Sequence, residues 1–216
     1  LTPPMQGPIL NILKDPRLGL NAQPPLVVSR LEQYLQLLVK WNRKINLTAE
    51  KTAEDILNRH VFDSFQYSRA LEQDYRVMDI GSGAGFPGIP LKIIFPNLNL
   101  VLVESQRKRC SFLDTVIRDL ELDKVEVMNA RVEDILDTLS EKFDAVVFRA
   151  VSSSQACLSL GERFLVPGGK IILKKSPEEK QDQSLSNPMF LLDKEVSISS
   201  YHGVASSLLV FSKCFT

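Results

Sequence analysis

The sequence has little cysteine and little histidine, which limits the kinds of site it can form. It contains three cysteines and two histidines in 216 residues. The cysteines, at positions 110, 157 and 214, are widely separated and form no C-x-x-C pair, so neither a disulfide framework nor a cysteine zinc site is indicated. Because no acid-rich cluster of suitable spacing is present either, we expect no metal site. The unpaired spacing of the cysteines predicts a reducing, cytoplasmic compartment.

Long apolar runs and net charge are also lacking. No run approaches the ~20 apolar residues that cross a bilayer, and residues 1–7 lack the regions of a signal peptide, so we expect no membrane association. Lys+Arg and Asp+Glu both number 26, a balance that argues mildly against a nucleic-acid binder. Residues 1–60 contain eight basic and five acidic residues, an excess that a solvated helical face explains as well as an RNA contact does.

Three regions are predicted along the chain: an N-terminal tail over residues 1–25, a helical extension over 26–72 and one α/β domain over 73–216. Apolar residues recur at helical spacing over Leu26–Trp41, after two prolines that suit a helix entrance. The polar segment 42–48 is predicted as a loop. A second helix is expected from about Thr52, where Thr52-Ala-Glu-Asp resembles a cap followed by first-turn acids.

From Arg76 onward, strand patterns alternate with helix patterns. The predicted strands cover residues 76–80, 98–104, 124–128, 143–148 and 170–173, and the helices between them begin near residues 89, 107, 132 and 154. Such alternation predicts parallel strands joined by right-handed crossover helices. Residues 194–199 and 207–212 are predicted to form an antiparallel hairpin that completes a seven-stranded, mostly parallel sheet with helices on both faces. The polar segment 176–187 is predicted to be a loop.

A glycine-rich turn follows the first predicted strand, in Val77-Met-Asp-Ile-Gly-Ser-Gly-Ala-Gly-Phe-Pro-Gly88. Glycines let the backbone turn tightly and approach a ligand, and the next helix offers free N–H donors. The dinucleotide fingerprint needs a third glycine where Phe86 stands. The pattern of Asp79 followed by Gly81, Gly83 and Gly85 therefore favours a ligand with a compact amino-acid end over a pyrophosphate.

Three other strand ends carry candidate ligand contacts. Glu104 ends the second strand, where a carboxylate accepts hydrogen bonds from both ribose hydroxyls of an adenosine; alone, it is equally a surface acid. After the third strand, Arg131, Val132 and Glu133 lie beside the expected adenine, although Glu133 also suits a helix first turn. Arg149 ends a buried strand, which is costly unless the charge is paired or meets a ligand. We assign Arg149 an orienting role and identify no certain catalytic residue.

Asn46, His60 and Lys174 are the candidate substrate contacts. His60 and Asp63 lie three residues apart on a predicted helix, a spacing that allows them to meet, and a structural hydrogen bond is the favoured interpretation of such a contact. Basic residues elsewhere are either phosphate contacts or ordinary surface: Arg43, Lys44, Arg107, Lys108, Arg109 and Lys175. No P-loop or nucleophile elbow is present.

Several segments resemble a known family: Trp41-Asn-Arg-Lys-Ile-Asn-Leu-Thr48, Arg59-His-Val-Phe-Asp-Ser64, the glycine turn with Phe-Pro-Gly-Ile-Pro, Ala130-Arg-Val-Glu and Phe148-Arg-Ala. They are similar to signatures of the bacterial small-subunit ribosomal RNA guanine-N7 methyltransferases, also called glucose-inhibited division protein B. The resemblance runs from about Leu31 to the end of the chain. One departure is Lys174-Lys175-Ser176, where the family usually has Lys-Gly.

That resemblance implies a cytoplasmic enzyme with a Rossmann-like class I methyltransferase fold, which uses S-adenosylmethionine to methylate guanine N7 in the 530 loop of 16S rRNA. The family's cofactor contacts correspond to Gly81, Phe86, Glu104, Val132, Glu133 and Arg149. We expect a monomer that acts on the small ribosomal subunit. Guanine N7 carries a lone pair and no proton, so the absence of an obvious catalytic base suits this reaction.

Three other functions remain open from the residues alone. A small-molecule methyltransferase would share the cofactor site, and the basic extension argues modestly against it. In a nicotinamide-dependent dehydrogenase, a glycine is expected where Phe86 stands. A non-catalytic RNA-binding protein with the same fold is disfavoured because the glycine turn, Glu104 and Arg149 are all intact.

Overall fold

The computed structural model of the chain describes residues 4–149, 153–175 and 187–214. The segment predicted as a loop over residues 176–187 lies outside these ranges, apart from Asn187. No helix within the described ranges has the length and apolar character needed to cross a membrane.

The segment predicted as a tail over residues 1–25 contains a helix, α1, over Gln6–Leu13, which we did not predict. Ile9 and Ile12 are buried, and the Met5 N–H donates to Glu32 Oε1 of the next helix at 2.9 Å. The apolar residues of this short segment gave too brief a pattern to predict a helix. Their burial against the following helix supplies the stability that a helix of two turns lacks alone.

The long helix α2 covers Pro25–Ile45 and confirms the predicted helix, but it extends four residues further than predicted. Its buried stripe contains Val27, Leu31, Tyr34, Leu35 and Leu38, the spacing of one helical face. Asn42 stays in the helix because its side-chain amide has hydrogen-bond partners there. Its amide donates to Glu50 O at 2.7 Å and accepts from the Thr48 N–H at 2.9 Å. The helix ends at Asn46 in the left-handed conformation.

A second helical stretch begins after Thr52, as predicted. The Thr52 hydroxyl oxygen accepts from the Asp55 N–H at 3.1 Å, which is an N-cap. The stretch comprises α3 (Ala53–Ile56), a π-helical turn (Leu57–Val61), α4 (Phe62–Gln66) and a 3-10 turn (Tyr67–Ala70). Such π-helical turns frequently lie at functional sites, and this one carries His60.

Seven strands form one sheet in the order β3-β2-β1-β4-β5-β7-β6, and the predicted seven-stranded, mostly parallel sheet is confirmed. The strands are β1 (Arg76–Ile80), β2 (Asn99–Glu104), β3 (Val125–Asn129), β4 (Phe143–Phe148), β5 (Leu165–Lys175), β6 (Phe190–Ser199) and β7 (Ala205–Lys213). β1 to β5 are parallel, and β7 pairs antiparallel with both β5 and β6. The last strand in sequence therefore lies inside the sheet.

The fifth strand is longer than predicted. Leu165 already pairs with Phe143, and a register shift then brings Lys170 opposite Ala145. The Pro-Gly-Gly segment forms this irregularity inside the strand, where we predicted a break before it. The preceding helix consequently ends at Gly161.

Helices cover both faces of the sheet. They are α5 (Gly88–Ile94), α6 (Arg107–Asp119), α7 (Leu136–Leu139) and α8 (Ser154–Gly161), with 3-10 turns over Val132–Ile135 and Glu162–Phe164. Alternate strand residues pack into two cores. Val77 lies in the core shared with α2, α5 and α6, and Met78 lies in the core shared with α8. The N-terminal helices therefore share a core with one face of the sheet.

Candidate active site

A cleft of about 370 Å³ lies at the carboxyl ends of β1, β2 and β3. Gly81, Glu104, Arg131, Val132 and Glu133 all line it, together with Ser105 and Leu160. Five of the predicted cofactor residues, which come from three separate strand ends, are thus brought to one place. In open α/β sheets, ligands bind outside the carboxyl ends of the strands where the strand order reverses, which here is between β1 and β4.

The glycines of the turn have different structural roles. Gly81, Gly83 and Gly85 have φ values of 74°, 56° and 92°, a region that glycine adopts without steric cost. The Gly81 and Ser82 N–H groups donate to Val103 O at 2.9 and 3.1 Å, which fixes the turn against β2. At Gly85, a Cβ would lie 2.6 Å from Ile89 Cγ1. Gly85 therefore serves packing, whereas Gly81 borders the cleft.

Asp79 lies behind the glycine turn rather than in the cleft. Its side chain is fully buried, and its Oδ2 accepts from the Gly88 N–H at 2.9 Å. Burial raises the pKa of Asp79 to about 8, against the opposing effects of the Gly88 hydrogen bond and Arg149. The structure thus gives Asp79 the role of anchoring the start of α5, and does not bring it to the cleft wall as we predicted.

Glu104 is held rigidly where β2 ends. It is 5% exposed; its Oε2 accepts from the Gly83 N–H at 3.0 Å and its Oε1 from the Gln106 N–H at 2.8 Å. Arg109 approaches Oε2 at 3.7 Å. Because each carboxylate oxygen has a second lone pair, Glu104 remains able to accept hydrogen bonds from a ligand in the cleft.

Phe86, His60 and Arg149 form a cluster beside the glycine turn. The rings of His60 and Phe86 stack at 5.0 Å with an interplanar angle of 27°. The guanidinium carbon of Arg149 lies 5.2 Å from the Phe86 ring centroid, and an Arg149 N–H donates to His60 Nδ1. Tyr34 of α2 meets Phe86 edge-on at 5.8 Å and donates from its hydroxyl to Ala84 O at 2.6 Å. The predicted Phe86 and Arg149 therefore contact each other.

Glu50 completes this cluster and was not predicted. Its Oε2 lies 2.5 Å from His60 Nε2, and its Oε1 lies 2.9 Å from Arg59 Nη1. Burial opposes ionisation of Glu50, but hydrogen bonds from Thr48 and His60 outweigh it and lower the pKa to about 2. Nothing in the sequence separated Glu50 from other loop acids.

The protonation of His60 follows from its two partners. Arginine can only donate hydrogen bonds, so His60 Nδ1 accepts one from Arg149. The ring proton is therefore on Nε2, which donates a hydrogen bond to Glu50. Burial and the Arg149 charge lower the pKa of His60, against the effect of Glu50. A neutral His60 therefore links the Glu50 carboxylate to the Arg149 guanidinium.

His60 and Asp63, which their spacing would allow to pair, have separate partners. The His60 ring turns to Phe86, whereas Asp63 forms an ion pair with Lys174 from the end of β5. Asn46 is exposed at the end of α2 and borders neither this ion pair nor the cleft. Of the three predicted substrate contacts, the structure thus brings His60 beside Arg149 and pairs Lys174 with Asp63.

Comparison with known proteins places the chain in a family. The family model described as rRNA small subunit methyltransferase G (GidB) matches residues 27–209. The chain belongs to this family. Proteins named ribosomal RNA small subunit methyltransferase G are 38% identical in Mesoplasma florum, over 74% of this chain and 68% of that protein, and 36% identical in Alkaliphilus metalliredigens, over 86% and 82%. The predicted family resemblance is confirmed.

Solved structures show the same fold at low identity. A putative O-methyltransferase from Klebsiella pneumoniae superposes with a TM-score of 0.58 and 14% identity, over 84% of this chain and 90% of that chain. The structure of TYW2 from M. jannaschii in complex with AdoMet gives 0.56 and 17%, over 71% and 74%. The predicted Rossmann-like class I methyltransferase fold is confirmed.

Within the described ranges, no group of three or more histidine, cysteine, aspartate or glutamate side chains is arranged to hold a metal ion. The side chains of this family member that converge near the strand ends are hydrogen-bonding groups, aromatic rings and guanidinium groups. Such groups bind and orient organic ligands.

Proposed function

We propose that this chain transfers a methyl group from S-adenosylmethionine to N7 of a guanine in the 530 loop of 16S rRNA. Family membership supports rRNA methylation, and the resemblance described above supplies the finer position. The observation that carries the proposal is the pairing of a glycine turn with the buried Glu104 carboxylate on one cleft. That combination suits a nucleoside whose ribose hydroxyls donate hydrogen bonds to Glu104 and whose other end, at the glycine turn, is compact.

The cleft residues fit S-adenosylmethionine. Glu104 has free lone pairs for the ribose hydroxyls, and Val132 offers an apolar surface beside the cleft for the adenine. Gly81 lets the backbone approach the amino-acid end without a side chain in the way. When bound, S-adenosylmethionine supplies an electrophilic methyl group on its sulfonium.

The chain's own residues then have to orient the guanine and support the charge that develops on it. Guanine N7 needs no deprotonation, so no general base is required, and positioning alone contributes up to ~7–11 kcal/mol in ideal cases. Arg149 is well placed to orient the substrate because Phe86 and His60 hold its guanidinium on two sides. His60 acts through Arg149 and is a positioning residue.

We also propose a setting for the reaction. The substrate is the RNA of the small ribosomal subunit, so the enzyme works in the cytoplasm, and we propose that it does so as a monomer. With no net charge on the chain, we expect weak, salt-sensitive affinity for naked RNA and preferential action on a structured ribosomal target.

The decisive experiment is methyl transfer from labelled S-adenosylmethionine to small subunits from cells that lack this activity, followed by mapping of the modified base. Label on a single N7-methylguanine in the 530 loop is the expected result. Arg149→Ala should lower the rate at least about tenfold, whereas Arg163→Ala, whose side chain is 58% exposed, serves as the control. Wild-type turnover by Arg149→Ala would remove that residue from the mechanism.

If the label is absent but the cofactor still binds, the ribosomal substrate is wrong and the methyltransferase fold stands. If the label falls on another base or atom, rRNA methylation stands and only the position must be revised.

A further inference from the structure

A second cavity, of about 520 Å³, lies at the same edge of the sheet as the cofactor cleft. Asp63, Lys174 and Tyr201 line it, with Glu50, Arg59 and His202. Lys174 stands near the carboxyl end of β5. Because β7 runs antiparallel to β5 and pairs Ser207 with Lys175, the turn between β6 and β7 comes to that edge and brings Tyr201 with it.

The sheet order places the second cavity across β4 from the cofactor cleft. The cleft lies over β1, β2 and β3, and the second cavity lies over β5 and the β6–β7 turn. Neighbouring strands are ~4.8 Å apart, so β1 and β5 are separated by roughly 10 Å. Arg149, at the end of β4, lies between them. A planar base can therefore reach from one cavity toward the other past Arg149.

The rim of the second cavity suits an unstacked base. The Tyr201 ring is 36% exposed and is braced edge-on by Phe62 at a centroid distance of 5.6 Å. Arg17 donates to Ser200 O at 3.1 Å and to Tyr201 O at 3.3 Å, which fixes the turn. Proteins that recognise RNA commonly stack splayed bases on such aromatic side chains.

Three carboxylates line this cavity, Glu50, Asp55 and Asp63. Asp55 is exposed and accepts from the Thr52 hydroxyl, whereas Asp63 is buried and has unused acceptor capacity. Glu50 is engaged by His60 and Arg59. Asp63 is 8% exposed, its Oδ2 is paired with Lys174, and its Oδ1 has no hydrogen-bond partner among the described residues. A carboxylate has about four lone-pair sites, and an unsatisfied buried acceptor is unfavourable. A donor from a ligand in the cavity would satisfy it after a small rotation of the carboxylate.

We propose that this cavity receives the Watson–Crick edge of the target guanine, and that Asp63 accepts hydrogen bonds from its N1–H and 2-amino groups. The inference rests on the proposed function. Guanine presents two adjacent donors on that edge, whereas adenine presents an acceptor at N1, so a carboxylate selects guanine. Since N7 lies on the opposite side of the purine, a guanine held by Asp63 directs N7 back toward Arg149 and the cofactor cleft.

The test compares guanine with inosine, which lacks only the 2-amino group. Small subunits are reconstituted from 16S rRNA carrying either base at the target position, and kcat/KM is measured for both. Variants are Asp63→Asn, Asp63→Ala and a charge-matched control, Asp137→Asn, whose side chain is fully exposed. A hydrogen bond to a charged acceptor implies a wild-type preference for guanine of at least about tenfold.

The expected result is that both Asp63 variants lose activity on guanine and that their guanine-to-inosine ratio falls toward one, while Asp137→Asn keeps the wild-type ratio. A purely structural role of Asp63 would lower both rates and leave the ratio unchanged, and that outcome overturns the inference. So does a wild-type ratio close to one. If Asp63→Ala fails to bind S-adenosylmethionine or to fold, the ratio for Asp63→Asn decides.

If the proposed function is wrong, the experiment gives a different result from failure of the Asp63 assignment. Wild-type enzyme would then transfer no methyl group to the guanine-containing subunits at all, before any variant is compared.

Discussion

Replacing Glu104 by glutamine tests the cofactor site most directly. Glutamine keeps the shape of the side chain but has one acceptor oxygen in place of two. Both carboxylate oxygens accept from backbone donors, Gly83 N–H and Gln106 N–H. The NH2 group of glutamine must therefore face one of these two donors, which is left unpaired. We therefore expect the free energy of unfolding to fall by ~1–3 kcal/mol, the usual cost of leaving a buried donor unpaired.

The same change should also weaken binding of the cofactor. A hydrogen bond to a charged acceptor contributes ~1.5–3 kcal/mol, so losing one ribose contact raises the Kd about 10- to 150-fold. Isothermal titration with S-adenosylmethionine measures this loss, at a temperature where urea unfolding shows the variant to be folded. We expect binding to become undetectable only if both ribose contacts are lost.

The control is Glu126→Gln, which removes an equal charge from the exposed side of β3. It should bind the cofactor within twofold of wild type. If Glu104→Gln also binds within twofold, the ribose is held by other groups, and the assignment of Glu104 is refuted.

Three further changes probe the surroundings of the cleft. Tyr34→Phe leaves Ala84 O without its buried donor, so urea unfolding should show a loss of ~1–3 kcal/mol and titration should show weaker cofactor binding. Gly88→Ala places a Cβ 2.7 Å from Leu102 Cδ2 and should cost ~1–3 kcal/mol in the same unfolding assay. Because burial raises the pKa of Asp79 to about 8 from an ordinary 3.8, its contribution to stability is full below about pH 4 and is lost as the pH rises through about 8. Asp79→Asn should flatten that part of the curve of urea midpoint against pH.

Much of the fold was predictable because each of the first four strands ends in a recognisable signal. The glycine turn, Glu104 and Arg149 all stand at carboxyl ends of parallel strands, and parallel strands bring such ends to one edge. Sequence order alone thus located the cleft. The same reasoning misplaced Asp79, since proximity in sequence does not say which side of a turn a carboxylate faces.

The parts that sequence did not reveal depend on contacts between distant segments. Glu50 becomes important only because the π-helical turn brings His60 against it, and α1 is stabilised by burial against α2 rather than by its own pattern. Asn42 continues a helix through a polar segment because its amide bonds to the backbone of the following loop. These features follow from tertiary contacts and leave no local periodic signal.

Arg17 links the beginning of the described chain to its last hairpin, and this link has a consequence for synthesis. The residues of the cofactor cleft lie between positions 80 and 160, whereas Tyr201, which Arg17 holds, is made about forty residues later. At ~5–20 residues per second, that interval is roughly 2–8 s. A nascent chain therefore contains every lining residue of the cofactor cleft before the surface that we assign to the guanine has been synthesised.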